Sequence, residues 1–271
     1  MKFFALVAAL LVAQSASSQD AVNWAGRVEA EFKQKNWPAA LQLADKGIAA
    51  EPKNPQLLFY RGRIYEETGQ HKKAIADFDQ SILIQPAMPA VYQHRGSEHF
   101  KLGQIRESLA DFDIYVKLEP DREPYHWQRG ISCYYAGEFE RGRRQFESHQ
   151  TVNPNDVENA VWHFLCMAKK DGLEKARAAL LPIQDDARVP MMQIYALFAG
   201  KGKVDAVVTA ARTPEAKFYA DLYLGLYFDA GKDAKKSAEH IRRAAAEAPE
   251  NNYMGDVARV HARLLDPLPK K

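Results

Sequence analysis

The chain of 271 residues is short of cysteine: it has only 2, Cys133 and Cys166, too few for a disulfide framework. It also lacks long apolar runs, since none approaches the roughly 20 residues that a membrane-spanning helix needs. It lacks a charge excess: 37 Lys+Arg face 35 Asp+Glu, a formal net charge of +2. Nothing global therefore pulls it toward nucleic acid or anionic lipid. Basic clusters such as Lys72-Lys73, Lys235-Lys236 and Arg141–Arg144 are interleaved with acids and read as solvated helix faces. We therefore expect no nucleic-acid partner.

Catalytic signatures are missing as well. There is no GxSxG, no phosphate loop and no GxGxxG following a strand. The 8 histidines form no HExxH or other tight ligand spacing, so no metal site, cofactor or catalytic residue is expected. No segment alternates polar and apolar over several residues, so no sheet is expected.

What is present begins with the first residues. Met1-Lys2 precedes an unbroken apolar run, Phe3 to Ala13, followed by the small, polar Gln14 to Gln19. A positive start, a short apolar core and small residues before a cut describe a secretory signal peptide over 1–18. Lipid anchoring would need a cysteine at the cut, and the first cysteine is Cys133. The expected destination is the periplasm or the exterior, without a lipid anchor.

A period of 34 residues then governs the chain. Pro52, Pro86, Pro120 and Pro154 keep this spacing, as do Arg27, Arg61, Arg95 and Arg129. Gly62, Gly96 and Gly130 form a third column, Gly69, Gly103 and Gly137 a fourth, and Phe78, Phe112 and Phe146 a fifth. Each column has a physical task in a helix–turn–helix unit. The first glycines let two helices approach closely, and the second fit a left-handed residue ending the first helix. The phenylalanines fill the space between helices, and the prolines end each unit. Such a hairpin buries its apolar face only when stacked on neighbours.

These residues resemble the tetratricopeptide repeat family: Tyr60-Arg61-Gly62 with Tyr65, Gly69, Ala74, Phe78 and Pro86, recurring at Arg95-Gly96 and Arg129-Gly130. Four repeats are expected over 21–156, the first of them weaker. A degenerate helical stretch follows over 157–214, then a last repeat and capping helix over 215–266 and a tail at 267–271. The resulting fold class is all-α, a right-handed helical-repeat superhelix with a degenerate C-terminal half and a capping helix. In the last repeat Gly225 is followed by Gly231 after six residues, where earlier copies have seven. Pro182, Pro190 and Pro214 make 182–214 the expected bend.

Asp77 and Asp111 follow Arg61 and Arg95 by 16 residues, which suggests an Arg–Asp bridge within each hairpin. Taken as exposed, such a bridge contributes about 0–1 kcal/mol. Cys133 and Cys166 lie 33 residues apart on successive first helices. A bond between them would need Cα atoms within about 7 Å, closer than helices normally pack; two buried thiols are expected.

The order of strict repeats, an irregular Trp162 helix, short helices, one late repeat and a cap is similar to the NlpI family of bacterial lipoproteins. That resemblance implies a periplasmic adaptor that docks a protease and peptidoglycan hydrolases and forms a homodimer. The tetratricopeptide resemblance implies a concave groove lined by the fifth, ninth and twelfth residues of each repeat. Here these are Ala25, Phe59, Gln93 and Trp127; Glu29, Arg63, Ser97 and Ile131; and Phe32, Glu66, Phe100 and Tyr134. The Lys/Asn/Arg carboxylate clamp of some members is replaced by Ala25, Glu29, Tyr60, Ala90 and His94. The expected partner is therefore a protein segment docking on apolar anchors, not a chaperone tail. An envelope assembly or secretion accessory, or a homo-oligomeric structural module, remains the alternative.

Overall fold

The computed structural model describes residues 23–265. The expected signal peptide and the tail fall outside this range. Among the described residues every regular element is a helix, in the repeat superhelix the columns imply. Four hairpins come first: α1 (Trp24–Lys33) with α2 (Trp37–Ala50), α3 (Pro55–Glu67) with α4 (His71–Ile84), α5 (Pro89–Lys101) with α6 (Ile105–Leu118), and α7 (Trp127–Tyr135) with α8 (Phe139–Gln150). α9 (Val157–Asp171) and the short α10 (Leu173–Ala178), α11 (Met191–Phe198) and α12 (Val204–Ala210) form the irregular stretch. α13 (Pro214–Ala230) and α14 (Ala234–Ala246) make the last hairpin, and α15 (Tyr253–Leu265) follows it.

The columns act as their chemistry demands. A Cβ on Gly62 would sit 2.6 Å from the Phe78 ring, and one on Gly96 or Gly130 would sit 2.7 Å from Phe112 or Phe146. The first repeat inverts the sizes, with Val28 at the glycine place and Ala44 at the phenylalanine place, both fully buried. Helix distance is therefore set by summed volume across the pair, not by glycine alone.

Gly69, Gly103 and Gly137 have φ of 70, 77 and 79° and end the first helices. In the last repeat the expected Gly231 is not the left-handed residue; Lys232 is, with φ of 62°. Lys232 lies seven residues after Gly225, so the register of seven holds and the glycine stands one place early. Lys35 does the same in the first repeat, with φ of 56°.

Pro120–Tyr125 forms a 3-10 helix, and α7 starts at Trp127, four residues later in the repeat than α3 at Pro55 and α5 at Pro89. α10 is short and stops at Ala178, four residues before Pro182.

The largest correction concerns the path of the chain. The superhelix does not present an open groove along its whole length. α15 returns across the concave side of the third and fourth hairpins. There Tyr253 stacks on Phe100 at 5.1 Å and meets Trp127 edge-on at 5.1 Å. His261 Nδ1 lies 3.0 Å from the Tyr135 hydroxyl, and Arg263 donates to the Lys101 carbonyl. One continuous core consequently runs from Phe100 to Val260.

Candidate protein-binding groove

The expected groove residues divide into two groups. Phe100 and Ile131 are 0% exposed and Tyr134 is 5%, because α9, α13 and α15 cover them. The Tyr134 hydroxyl donates to Asp229 at 3.3 Å, and its ring meets Trp162 at 5.4 Å. These three belong to the core of the closed superhelix and are not a free lining. Trp127 is half-buried against Tyr253. Ser97 is buried, with its hydroxyl donating to the Gln93 carbonyl at 3.1 Å. Gln93 Nε2 donates to Gln128 at 2.6 Å and ties α5 of the third hairpin to α7 of the fourth.

The other group stays open, on α1, α3 and the start of α5. Phe32, Phe59, Arg63, Glu66 and Glu29 are half-buried. Their rings form a run: Phe32 lies 6.1 Å from Tyr60, Tyr60 lies 5.7 Å from Phe59, and Phe59 lies 5.7 Å from His94. The Arg63 guanidinium caps Phe32 at 5.1 Å. Lys33 donates to Glu29 at 2.7 Å, which, together with the Tyr60 hydroxyl, holds the Glu29 carboxyl below its usual value.

At the inner end of this run a polar cleft of about 230 Å³ lies where α3 and α5 face the start of α15. Glu66, Glu67, His94, Lys101 and Asp256 line it. Glu66 sits 2.9 Å from His94 Nδ1 and 3.7 Å from Lys101. Burial pushes its carboxyl up, but His94, Lys101 and Arg63 more than offset this and leave it below the usual carboxylate range. Lys101 also donates to the fully buried Glu98, which His71 meets at 2.7 Å. The carboxylate pair Glu98 and Glu66 holds Lys101 charged against its own desolvation. The cleft is thus prearranged for charged or hydrogen-bonding groups beside the aromatic run.

The recurrent arginines are more deeply engaged than the sequence suggested. Arg61 donates two hydrogen bonds to Asp77, at 2.8 and 2.7 Å, and a third to Asp45 at 2.8 Å. Arg95 repeats this with Asp111, at 2.9 and 2.6 Å, and with Asp79 at 2.6 Å. Asp77 and Asp111 are buried, at 6% and 3% exposure, so the bridges are not the exposed pairs expected. Each arginine also reaches back to the preceding hairpin, and Arg129 does so through Asp113 at 2.7 Å. The signal was legible: Asp45, Asp79 and Asp113 also keep the 34-residue spacing. These carboxylates join neighbouring repeats and are spoken for.

Cys133 and Cys166 are both buried and unbonded. Gly142 leaves the room they fill, since a Cβ there would lie 2.8 Å from the Cys166 sulfur. Burial raises the Cys133 thiol to about 11 and Cys166 further, so neither is a nucleophile near neutral pH. Among the described residues no cluster of His, Cys, Asp and Glu could hold a metal, and no helix is long and apolar enough to cross a membrane.

A profile of the tetratricopeptide repeat family matches residues 25–89. No curated protein matches the sequence. Among solved structures, a tetratricopeptide repeat protein from Parabacteroides merdae is similar at 13% identity with a TM-score of 0.59, covering 88% of this chain and 96% of that one. The MamA protein is similar at 15% identity and a TM-score of 0.53, covering 66% and 91%. PilW, a type IV pilus biogenesis factor, is similar at 16% identity and a TM-score of 0.50, covering 86% and 96%. Since the family matches at 25–89 and the same glycine–phenylalanine hairpin recurs beyond it, the chain carries tetratricopeptide repeats, built into a helical-repeat superhelix.

Proposed function

We propose that this chain is an exported adaptor that holds a protein partner in the open N-terminal part of its groove. The observation that carries the reading is the uncovered aromatic run Phe32–Tyr60–Phe59–His94 beside the charged cleft at Glu66 and Lys101. Aromatic and arginine side chains are the groups that anchor interfaces, and α15 leaves this stretch free while covering the rest. The signal-like residues 1–18 favour the cell envelope as the place of action. The similarity to PilW, a pilus biogenesis factor, is compatible with an envelope role, through shared fold alone. The partner class is a processing protease or a cell-wall hydrolase, by the NlpI-type layout of the sequence. Bringing such an enzyme to its target raises their effective concentration.

The test is a crosslinking pull-down from envelope extract with wild-type protein and a Phe59→Ala/Arg63→Ala variant whose helical content is checked first. Capture of a protease or wall hydrolase by the wild type and its loss in the variant is the expected result. Equal capture by both places binding outside the open groove. Recovery of cytosolic proteins alone removes the envelope reading.

A further inference from the structure

A second cavity lies outside the open groove, between α7, α8, α9 and α15, with a volume of about 150 Å³. Its walls are aromatic and apolar: Trp127, Ile131, Phe146, Trp162 and Met254. Its polar lining is His149, Asp156, Glu158 and Asn159.

Two of these polar groups offer acceptors without a donor within reach. The third, Asp156, accepts through Oδ1 from the Glu158 N–H and Arg188 and through Oδ2 from Asn153 Nδ2 at 3.1 Å, which leaves Oδ2 one further lone pair. His149 Nδ1 lies 2.8 Å from the Pro124 carbonyl. A carbonyl only accepts, so Nδ1 carries the proton and Nε2 of the neutral ring presents a lone pair. That Nε2 stands 4.0 Å from Asp156 Oδ2, too far for a hydrogen bond between them. Asn159, 3% exposed, donates through Nδ2 to the Phe146 carbonyl and to Gln150, both at 3.0 Å, while its buried Oδ1 has no partner. Arg188 bridges Asp156, Glu158 and Asp186 at 2.7, 3.1 and 2.6 Å, while burial pushes the Glu158 carboxyl up, toward its neutral form. The Nε1–H of Trp162 is a further buried polar group without a partner, so the lining is not that of a dry void.

We propose that this cavity binds a primary alkylammonium head on a short apolar stem. An ammonium carries three donors and no acceptor, which suits an acceptor set of His149 Nε2, Asp156 Oδ2 and Asn159 Oδ1. Indole and phenyl walls attract a cation through their ring faces and bury a stem of a few carbons. A cavity of about 150 Å³ holds a molecule near benzene in size, so the stem is about four carbons long. Two sources share this chemistry, a free amine and the lysine side chain of a protein. The site is independent of the open groove and of its partner.

The test follows the indole N–H resonance of Trp162, assigned with Trp162→Phe, in the full chain at constant ionic strength. The probes are n-butylammonium chloride and the uncharged 1-butanol of the same shape. Asp156→Asn retains the oxygen that caps α9 and removes the charge. The expected result is a saturable shift with butylammonium, weaker with butanol, and a rise in Kd of about tenfold in Asp156→Asn. Equal shifts with both probes and no effect of the substitution would show an apolar cavity only and overturn the proposal. No shift with either probe overturns it too. Nα-acetyl-lysine-methylamide then separates the sources: binding assigns a partner's lysine, and its failure where butylammonium binds assigns a free amine.

Discussion

At the scale of the residue, the repeat is a volume contract between two positions 16 apart. Gly62 can exist because Phe78 fills its place, and Ala44 because Val28 does. Gly62→Ala should cost about 1–3 kcal/mol by overpacking, read from urea denaturation. Adding Phe78→Leu should recover part of that loss; a simple sum of the two penalties would show that the positions are not coupled. The buried carboxylates make a second test. Asp111→Ala leaves Arg95 with Asp79 alone and should cost about 2–3 kcal/mol; a loss under 1 kcal/mol would return the bridge to the exposed class. Such roles were readable in the columns, since identical spacing across repeats marks structure. Burial was not readable, because one helix hairpin does not show what its neighbours cover.

At the scale of the element, α15 is held by an aromatic and histidine seam. Tyr253→Ala should lower the melting temperature, speed hydrogen exchange in α15 and shift Trp127 emission to the red, because that ring loses its edge contact. Unchanged exchange in α15 would mean that α14 alone holds it. The seam also predicts acid sensitivity. Burial pushes the His261 imidazole down to about 4, and does the same to His126. The unfolded chain takes up protons near the ordinary histidine value of about 6.5, while the folded chain resists until about 4. The stability from the neutral rings is therefore full above pH 6.5 and is lost as pH falls toward 4. Urea midpoints should drop between pH 7 and 5, and His261→Gln should flatten that drop. An equally steep drop in the variant would assign it to other groups.

At the scale of the whole molecule, closure decides what is left to bind. Tyr253→Asp should enlarge the radius of gyration in small-angle scattering by freeing α15 from the third and fourth hairpins, if that contact closes the superhelix. An unchanged radius with α15 protected would show that the α13–α14 hairpin sets the shape. The helical class, the 34-residue unit, the close approach at Gly62, Gly96 and Gly130, and the left-handed turns at Gly69, Gly103 and Gly137 were legible in the sequence, because each depends on contacts within one hairpin or its immediate neighbour. Only the tertiary structure decided that Phe100, Ile131 and Tyr134 are core while Phe32, Phe59 and Arg63 stay open. That choice depends on Tyr253 meeting Phe100 across 153 positions, a contact made by the accumulated turn of many stacked helices, which no local spacing encodes.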